Sequence, residues 1–206
     1  MRSVGPAGAG RVLLTVLAAM LLAAGCSSTK DAVDSADEFQ FVAPGGQTRI
    51  TYEPAESRGR VGDLAGDSLL RPGTQVGVNS YPGQVVVINI WGSWCGPCRT
   101  EASELQFVAD NARDTAVLGI DVRDDRQAAQ DFARDRGLTY DSIYDFPGRT
   151  LTALSGYPRN VVPSTIVLDR RHRVAAVFLL PVGASDLMPV VERLAAEPAA
   201  TAPAPG

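Results

Sequence analysis

The sequence predicts an α/β domain with a mixed central sheet flanked by helices. The run "VVVINI" at residues 85–90 is almost entirely β-branched, which is typical of a strand buried on both faces of a sheet. A second apolar run, "AVLGID" at 116–121, has the same character. Each run is followed by residues at helical spacing, and the order strand, helix, strand, helix is typical of a parallel unit.

Two weaker elements precede the central strand. "TRITYE" at 48–53 alternates between polar and apolar residues and predicts a short outlying strand. From residue 61 onward, two short strand-like pieces surround the turn signal Arg71-Pro72-Gly73. We therefore expect a hairpin at the N-terminal side of the domain.

The helices of the parallel unit are indicated by spacing and by their ends. "RTEASELQFVADNA" at 99–112 repeats apolar residues at helical intervals, and Pro97 stands where a first-turn proline is tolerated. "DRQAAQDFARDRG" at 125–137 predicts a helix that ends at Gly137.

The C-terminal third predicts further strands and a last helix. "TYDSIYD" at 139–145 is typical of an extra strand, and "GRTLTALSGY" at 148–157 of a short helix. "STIVLDRRHRVAAVFLL" at 164–180 predicts two strands joined by a charged turn. Ser185 is the expected N-cap of the helix at 186–197.

The N-terminus predicts export from the cytoplasm. Residues 12–24 form an apolar run of signal-peptide length, too short to span a bilayer as a mature helix. The run ends in "LLAAGC", which resembles the lipobox of bacterial lipoproteins, although Ala23 replaces the usual aliphatic residue. This resemblance implies removal of residues 1–25 and lipidation of Cys26, which would anchor the chain to the cell membrane on its outer side. An unmodified cysteine within a secretory signal is the alternative.

The remaining composition predicts one folded domain between two flexible ends. Residues 26–60 are polar, acidic and punctuated by glycine and proline, which indicates a tether. Residues 61–197 are the expected folded domain, and the Pro/Ala-rich segment 198–206 is expected to be disordered. With 19 Lys and Arg against 23 Asp and Glu, the chain has no basic surplus to follow a phosphate backbone, so nucleic acid is excluded as an expected partner.

The pair Cys95 and Cys98 admits three interpretations. A zinc site needs four ligands, and the only histidine, His172, falls in the strand-joining turn, where we expect it to be exposed to solvent. A structural disulfide between residues three apart closes a very small loop and removes little unfolded-state entropy. Redox chemistry is the favoured interpretation, and it requires no metal and no cofactor beyond the two cysteines.

The position of the pair assigns a role to each thiol. Cys95 would stand at the N-terminus of a helix, where the helix dipole favours the thiolate, so it is the expected nucleophile. Cys98 lies one turn further along, where we expect it to be less exposed and to resolve the mixed disulfide formed by Cys95.

"WCGPC" after "VVVINIWGS" resembles the thioredoxin superfamily, and its surroundings resemble the TlpA/ResA branch. The resemblance covers residues 61–197 and implies a thioredoxin-like fold in an extracytoplasmic, membrane-tethered thiol-disulfide oxidoreductase. That branch has a central strand-helix insertion, and residues 139–157 fall where it belongs.

The resemblance also implies roles for further residues. Pro163 would be the cis-proline that faces the cysteines, and the backbone of Val162 would pair with a substrate strand. Asn89 stands where thioredoxin keeps a buried carboxylate, and Glu101 where ResA-like proteins keep an acidic residue that influences the thiols. A rival interpretation is that Glu101 only provides a negative charge that interacts favourably with the N-terminal end of the helix dipole.

Residues within and beside the motif complete the expected site. Trp91 and Trp94 are expected to pack around it, with Trp94 shielding Cys95. Gly96 and Pro97 form the dipeptide of thioredoxin itself, which favours a reductant. His172 replaces a glycine that is usual in the branch, which leaves the geometry of that turn open.

The implied activity is reduction of disulfides in envelope proteins, such as the haem-binding cysteines of apocytochrome c during cytochrome c maturation. The implied electron donor is a membrane thiol carrier of the CcdA/DsbD type. Two alternatives remain: an oxidising enzyme like DsbE or DsbF, and a non-catalytic lipoprotein that handles an envelope peptide or haem.

Overall fold

The structure, a computed structural model, describes residues 38–198. The predicted signal segment, Cys26 and nearly all of the predicted C-terminal tail lie outside the described residues. In this part of the chain the strands are β1 Arg49–Thr51, β2 Ala65–Asp67, β3 Gln75–Gly77, β4 Val85–Trp91, β5 Thr115–Val122, β6 Asp141–Asp145, β7 Ser164–Leu168 and β8 Val174–Phe178. The helices are α1 Gly96–Asn111, α2 Arg126–Asp135 and α3 Ala184–Ala195.

The six-stranded sheet has the order β1-β8-β7-β4-β5-β6. Strands β4, β5 and β6 run parallel, whereas β7, β8 and β1 join by antiparallel pairing. The sheet is therefore mixed, as predicted, and the fold is thioredoxin-like. The strand expected around residues 48–53 is β1, which forms one edge of this sheet.

Strand β4 divides the core into two layers because its side chains alternate between the two faces. Val85, Val87 and Trp91 join a cluster that contains both cysteines and the buried faces of all three helices. Val86, Ile88 and Ile90 join a second cluster on the opposite face. Every residue of β4 is buried, as the apolar run predicted.

The second cluster shows that the predicted tether is wrong for residues 38–60. Three of its members come from that segment: Phe39, Phe41 and Ile50 are each at most 8 % exposed. The three α-helices cover only the first face of the sheet, so the second face is closed by the hairpin, a short 3₁₀ helix, loops and this segment. The segment is mostly polar, and for that reason its composition suggested a flexible chain. A few apolar side chains, separated by polar residues, are enough to pack it against the domain.

The predicted hairpin and central insertion are both present. β2 and β3 pair antiparallel around the turn that contains Gly73, whose φ of 84° suits glycine. β6 adds a parallel edge strand beside β5, and a short 3₁₀ helix at Thr150–Ala153 follows it. Leu151 from this helix is buried in the second cluster.

The start of the last helix corrects one prediction. α3 begins at Ala184, so Ser185 lies inside it and Gly183 is the N-cap. The Gly183 backbone N–H donates to Oδ2 of Asp186 (3.0 Å), so Asp186 satisfies the N-terminal backbone in place of Ser185. Helix α2 ends two residues before Gly137, whose φ is 64°, close to the predicted end.

His172 is half-buried instead of exposed. It has a φ of 56°, the left-handed conformation that a glycine would adopt easily in this turn. Its Nε2 lies 3.0 Å from the carbonyl oxygen of Tyr81, so the imidazole links the turn to the loop before β4. None of the helices within residues 38–198 is long and apolar enough to cross a membrane.

Candidate active site

Cys95 and Cys98 form a disulfide, with their Cα atoms 5.3 Å apart. Cys95 is the N-cap of α1, and its Sγ accepts a hydrogen bond from the backbone N–H of Cys98 (3.2 Å). The sulfur therefore faces the positive end of a sixteen-residue helix, where a thiolate is stabilised. This geometry supports Cys95 as the nucleophile.

The expected difference in exposure between the two cysteines is wrong for this disulfide form. Cys95 and Cys98 are each 4 % exposed, because the bonded sulfurs lie together at the edge of one apolar cluster. The two cysteines differ in their position along the helix: Cys95 is the N-cap, and Cys98 lies in the first turn. Among residues 38–198, no three His, Cys, Asp or Glu side chains are grouped to hold a metal ion.

Pro163 is placed beside the motif by the antiparallel pairing of β7 with β4. The register sets Ser164 opposite Ile90, so Pro163 lies where β4 ends and the chain turns toward Cys95. The peptide bond between Val162 and Pro163 is cis. Val162 packs against the cluster that contains both cysteines. Its predicted pairing with a substrate strand stays a prediction.

Glu101 is buried inside the domain at 3 % exposure. It is therefore not simply a surface charge that interacts with the helix dipole. Its Oε1 accepts hydrogen bonds from Nδ2 of Asn89 in β4 (3.0 Å) and from the Thr165 hydroxyl in β7 (3.2 Å). Asn89 also donates to the Thr165 hydroxyl oxygen (3.2 Å), which closes a small network. The sequence suggested no relay role for Asn89 and did not identify Thr165.

Burial raises the pKa of the Glu101 carboxyl to about 7. Two polar groups offset part of this effect and lower the pKa: the Thr165 hydroxyl and the Val182 backbone. Oε2 is buried without a hydrogen-bond partner within residues 38–198. A carboxyl of this kind changes its protonation near neutral pH and suits proton transfer with a neighbouring thiol.

A groove of about 440 Å³ opens next to this carboxyl. It is lined by residues from the first turns of α1 and from the loop before α3: Pro97, Thr100, Glu101, Glu104, Pro181, Val182 and Gly183. The groove therefore joins the exposed Pro97 of the motif to the buried acid.

The two tryptophans occupy different environments. Trp91 is buried and packs on Phe132 of α2, with ring centroids 5.5 Å apart. Trp94 is half-exposed, and its indole N–H donates to the Val122 carbonyl at the end of β5 (3.1 Å). The ring lies over Gly92, where a Cβ would collide with it. The shielding of Cys95 by Trp94 stays a prediction.

Ser93 and Asp124 are site residues that the sequence reasoning missed. The Asp124 carboxylate accepts hydrogen bonds from both the backbone N–H and the hydroxyl of Ser93, the latter at 2.9 Å. Cys95 follows two residues later, and its N–H donates to the Gly92 carbonyl (3.1 Å). The sequence did contain an indication of this contact. Polar residues that follow β5 must lie beside the end of its parallel neighbour β4, where Ser93 is found.

A family model described as "AhpC/TSA family" matches residues 61–177, more than half of the chain. The chain belongs to the AhpC/TSA family. The match begins before the hairpin and ends in β8, so it contains both cysteines, Glu101 and Pro163. The AhpC/TSA family is a thioredoxin-like family, so this assignment is consistent with the fold described above.

Curated relatives carry thiol-disulfide names. The chain is 26 % identical over 122 residues to thiol-disulfide oxidoreductase ResA of Geobacillus kaustophilus, covering 57 % of this chain and 68 % of ResA. It is 29 % identical over 138 residues to thiol:disulfide interchange protein DsbE of Pseudomonas aeruginosa, covering 65 % of this chain and 74 % of DsbE. This AhpC/TSA protein is a thiol-disulfide oxidoreductase.

Two solved structures are more similar in sequence. A secreted thiol-disulfide isomerase from Corynebacterium glutamicum is 45 % identical with a TM-score of 0.75, covering 77 % of this chain and 98 % of its own. A DsbF homologue from Corynebacterium diphtheriae is 46 % identical with a TM-score of 0.73, covering 76 % and 99 %. Nearly all of each neighbour is therefore matched by this chain.

Proposed function

We propose that this oxidoreductase works outside the cytoplasm and reduces disulfides in envelope proteins. The observation that carries the proposal is the Cys95-Cys98 pair at the helix N-terminus, next to the buried Glu101 carboxyl and an open groove. No cofactor besides the cysteine pair takes part. The secreted relative from Corynebacterium glutamicum and the predicted signal segment support the location.

The reaction proceeds by two exchanges. The Cys95 thiolate attacks one sulfur of the substrate disulfide and releases the other as a thiolate, which gives a mixed disulfide. Cys98, with its proton passed toward Glu101, then attacks the Cys95 sulfur and releases the second substrate thiol. The substrate gains two electrons, and the protein is left with the Cys95-Cys98 disulfide. A membrane thiol carrier of the CcdA/DsbD type returns it to the dithiol.

The Gly96-Pro97 dipeptide favours the reducing direction. Thioredoxin, which has the same dipeptide, has a potential of about −270 mV, whereas the strong oxidant DsbA lies at about −120 mV. The second candidate is an oxidising or isomerising enzyme, and the names of the isomerase and the DsbF homologue at 45 and 46 % identity favour it.

Equilibration of the purified domain with glutathione buffers tests the direction. We expect a potential close to that of thioredoxin. A value near that of DsbA would overturn the reducing direction and would support the oxidising candidate.

The proposed substrate is apocytochrome c, whose haem-binding cysteines must be reduced before haem is attached. The proposed lipid anchor at Cys26 would hold the domain near membrane-bound assembly partners and raise its effective concentration there. Deletion of the gene should lower membrane c-type haem, and added thiol should restore it. Normal c-type haem in the deletion strain would exclude this substrate.

A strain that carries both Cys95→Ala and Cys98→Ala separates the enzyme from a non-catalytic binding lipoprotein. Loss of the cellular effect is expected from the proposed reductant. A binding lipoprotein would keep its effect without either cysteine. Replacement of Cys26 by serine, followed by fractionation of cells, tests the anchor: the protein should move from the membrane to the soluble envelope fraction or the medium.

A further inference from the structure

Residues 92–95 lead from the end of β4 to Cys95 and form the redox turn. Asp121 is a buried carboxyl beside this turn, and the proposed reaction does not use it. It lies at the end of β5, in register with Trp91 of β4 on one side and Tyr144 of β6 on the other. Its relative exposure is 0 %, and neither carboxyl oxygen accepts a hydrogen bond from a donor group of the described residues. A buried ionised carboxylate without partners is very unfavourable, so this group needs an explanation.

The neighbour of Asp121 is a second carboxylate, Asp124. Both Asp124 oxygens are used by Ser93, as described above. The Asp124 backbone carbonyl accepts from the Tyr144 hydroxyl (3.0 Å), which ties the same loop to β6. Asp124 is thus the link between the end of β5 and the segment that leads to Cys95.

We propose that Asp121 is a positioning residue for the redox turn: as a neutral carboxyl it donates its proton to the Asp124 carboxylate, which in turn holds Ser93. Two carboxyls in one buried site cannot both be ionised at low cost, and a shared proton satisfies both of them. Asp124 then keeps both of its oxygens as acceptors for the two hydrogen bonds from Ser93. The proposal rests on the dithiol chemistry and not on the direction of electron flow.

The charges around the pair agree with this arrangement. Burial, the charge of Asp124 and a hydrogen bond to Asp124 raise the pKa of Asp121 to about 9, in that order of size. Arg126 at the start of α2 opposes the rise. Its guanidinium is engaged elsewhere, with Asp67 of the hairpin at 2.6 Å and over the Tyr144 ring at 4.1 Å. Asp121 therefore keeps its proton at neutral pH.

The direct test is a ¹³C NMR titration of aspartate carboxyls in the oxidised protein, which contains no free Cys95 or Cys98 thiol. One carboxyl resonance should titrate near pH 9, and it should be absent from Asp121→Asn. In Asp124→Asn the same resonance should titrate at lower pH, because the neighbouring charge is gone. Titration of Asp121 near pH 4 in the wild-type protein would overturn the proposal without affecting the proposed function.

The positioning role is tested by the rate of thiol-disulfide exchange of the reduced protein between pH 6 and 10.5. In the wild type the rate should fall above pH 9, when ionised Asp121 repels Asp124 and loosens the turn. Asparagine mimics a protonated carboxyl, so Asp121→Asn should lack the alkaline fall, whereas Asp121→Ala should be slower by about tenfold already at pH 7. Equal pH profiles for the wild type and Asp121→Asn would refute a role in positioning.

Discussion

Asn89 in the central strand donates a hydrogen bond to Glu101 in the cysteine-bearing helix, with 3.0 Å between Nδ2 and Oε1. The neutral amide stands where thioredoxin keeps a carboxylate, and the helix supplies the acid from the opposite side. Thr165 of the next strand binds the same oxygen, so three elements converge on one carboxyl. The acid is therefore held at a defined position in the helix that carries Cys98.

Replacement of Glu101 by glutamine should remove a pH dependence near neutrality. Because burial raises the pKa of Glu101 to about 7, the carboxyl gains its ability to accept a proton from a thiol as the pH rises through 7. We expect Glu101→Gln to slow exchange at pH 8 by about tenfold to a hundredfold and to lose the inflection near pH 7. Stopped-flow reduction of a protein disulfide measures both.

Glu104→Gln is the matched control for this variant. Glu104 lines the same groove one turn later but is exposed, and it accepts a hydrogen bond from the Ala184 N–H (2.9 Å). The Glu104→Gln variant should keep the wild-type dependence of the exchange rate on pH. Equal profiles for the Glu101 and Glu104 variants would show that Glu101 does not transfer protons.

The same carboxyl should make the stability of the oxidised protein depend on pH. Its pKa is higher in the folded protein than the ordinary 4.5, so the folded state is favoured below pH 4.5 and loses that advantage as the pH rises to 7. Relative to wild type, Glu101→Gln should gain about 2–3 kcal/mol of unfolding free energy between pH 4 and pH 8. Urea denaturation at the two pH values measures this gain. A difference that does not change with pH would mean that Glu101 is ionised normally.

Removal of the resolving thiol should trap substrates. With Cys98→Ala, the mixed disulfide on Cys95 has no internal attacker and should persist. Non-reducing gels of the envelope fraction should show adducts for Cys98→Ala and none for Cys95→Ala. Adducts on Cys95→Ala instead would reverse the roles of the two cysteines.

The ion cluster around Arg58 should contribute strongly to stability. The Arg58 side chain is fully buried and contacts Asp169 (3.2 Å), Glu197 (2.7 Å) and Glu53 (2.8 Å). Arg58→Ala removes a fully buried cation but leaves Asp169 paired with Arg173 (2.7 Å), so it should lower the unfolding free energy by about 3 kcal/mol.

Arg193→Ala is the control for Arg58, because Arg193 binds Glu53 and Glu197 as well but is 43 % exposed in its side chain. It should lose about 1 kcal/mol or less in the same urea titration. A small effect of Arg58→Ala would show that the ion cluster contributes little to the stability of the domain.

Local patterns were sufficient for the elements that depend on nearby residues. The β-branched run at 85–90 specifies a strand buried on both faces, and the two cysteines three residues apart specify a disulfide at a helix start, because each depends on side chains adjacent in sequence. The predicted cap at Ser185 was wrong because the helix begins at Ala184, two residues before the predicted start, and the Asp186 side chain accepts from the Gly183 N–H.

By itself, the sequence determined the thioredoxin-like order of strands and helices, the redox pair and the likeness of Pro163 to a cis-proline. Only the tertiary structure decided which residues surround that pair, with Asn89 and Thr165 around Glu101 and Asp124 around Ser93. It also decided that residues 38–60 pack on the opposite face of the sheet. The physical reason is sequence distance. Periodicity reports which side of an element is buried, whereas a hydrogen bond between residues 12 to 76 positions apart depends on how strands are ordered in the sheet.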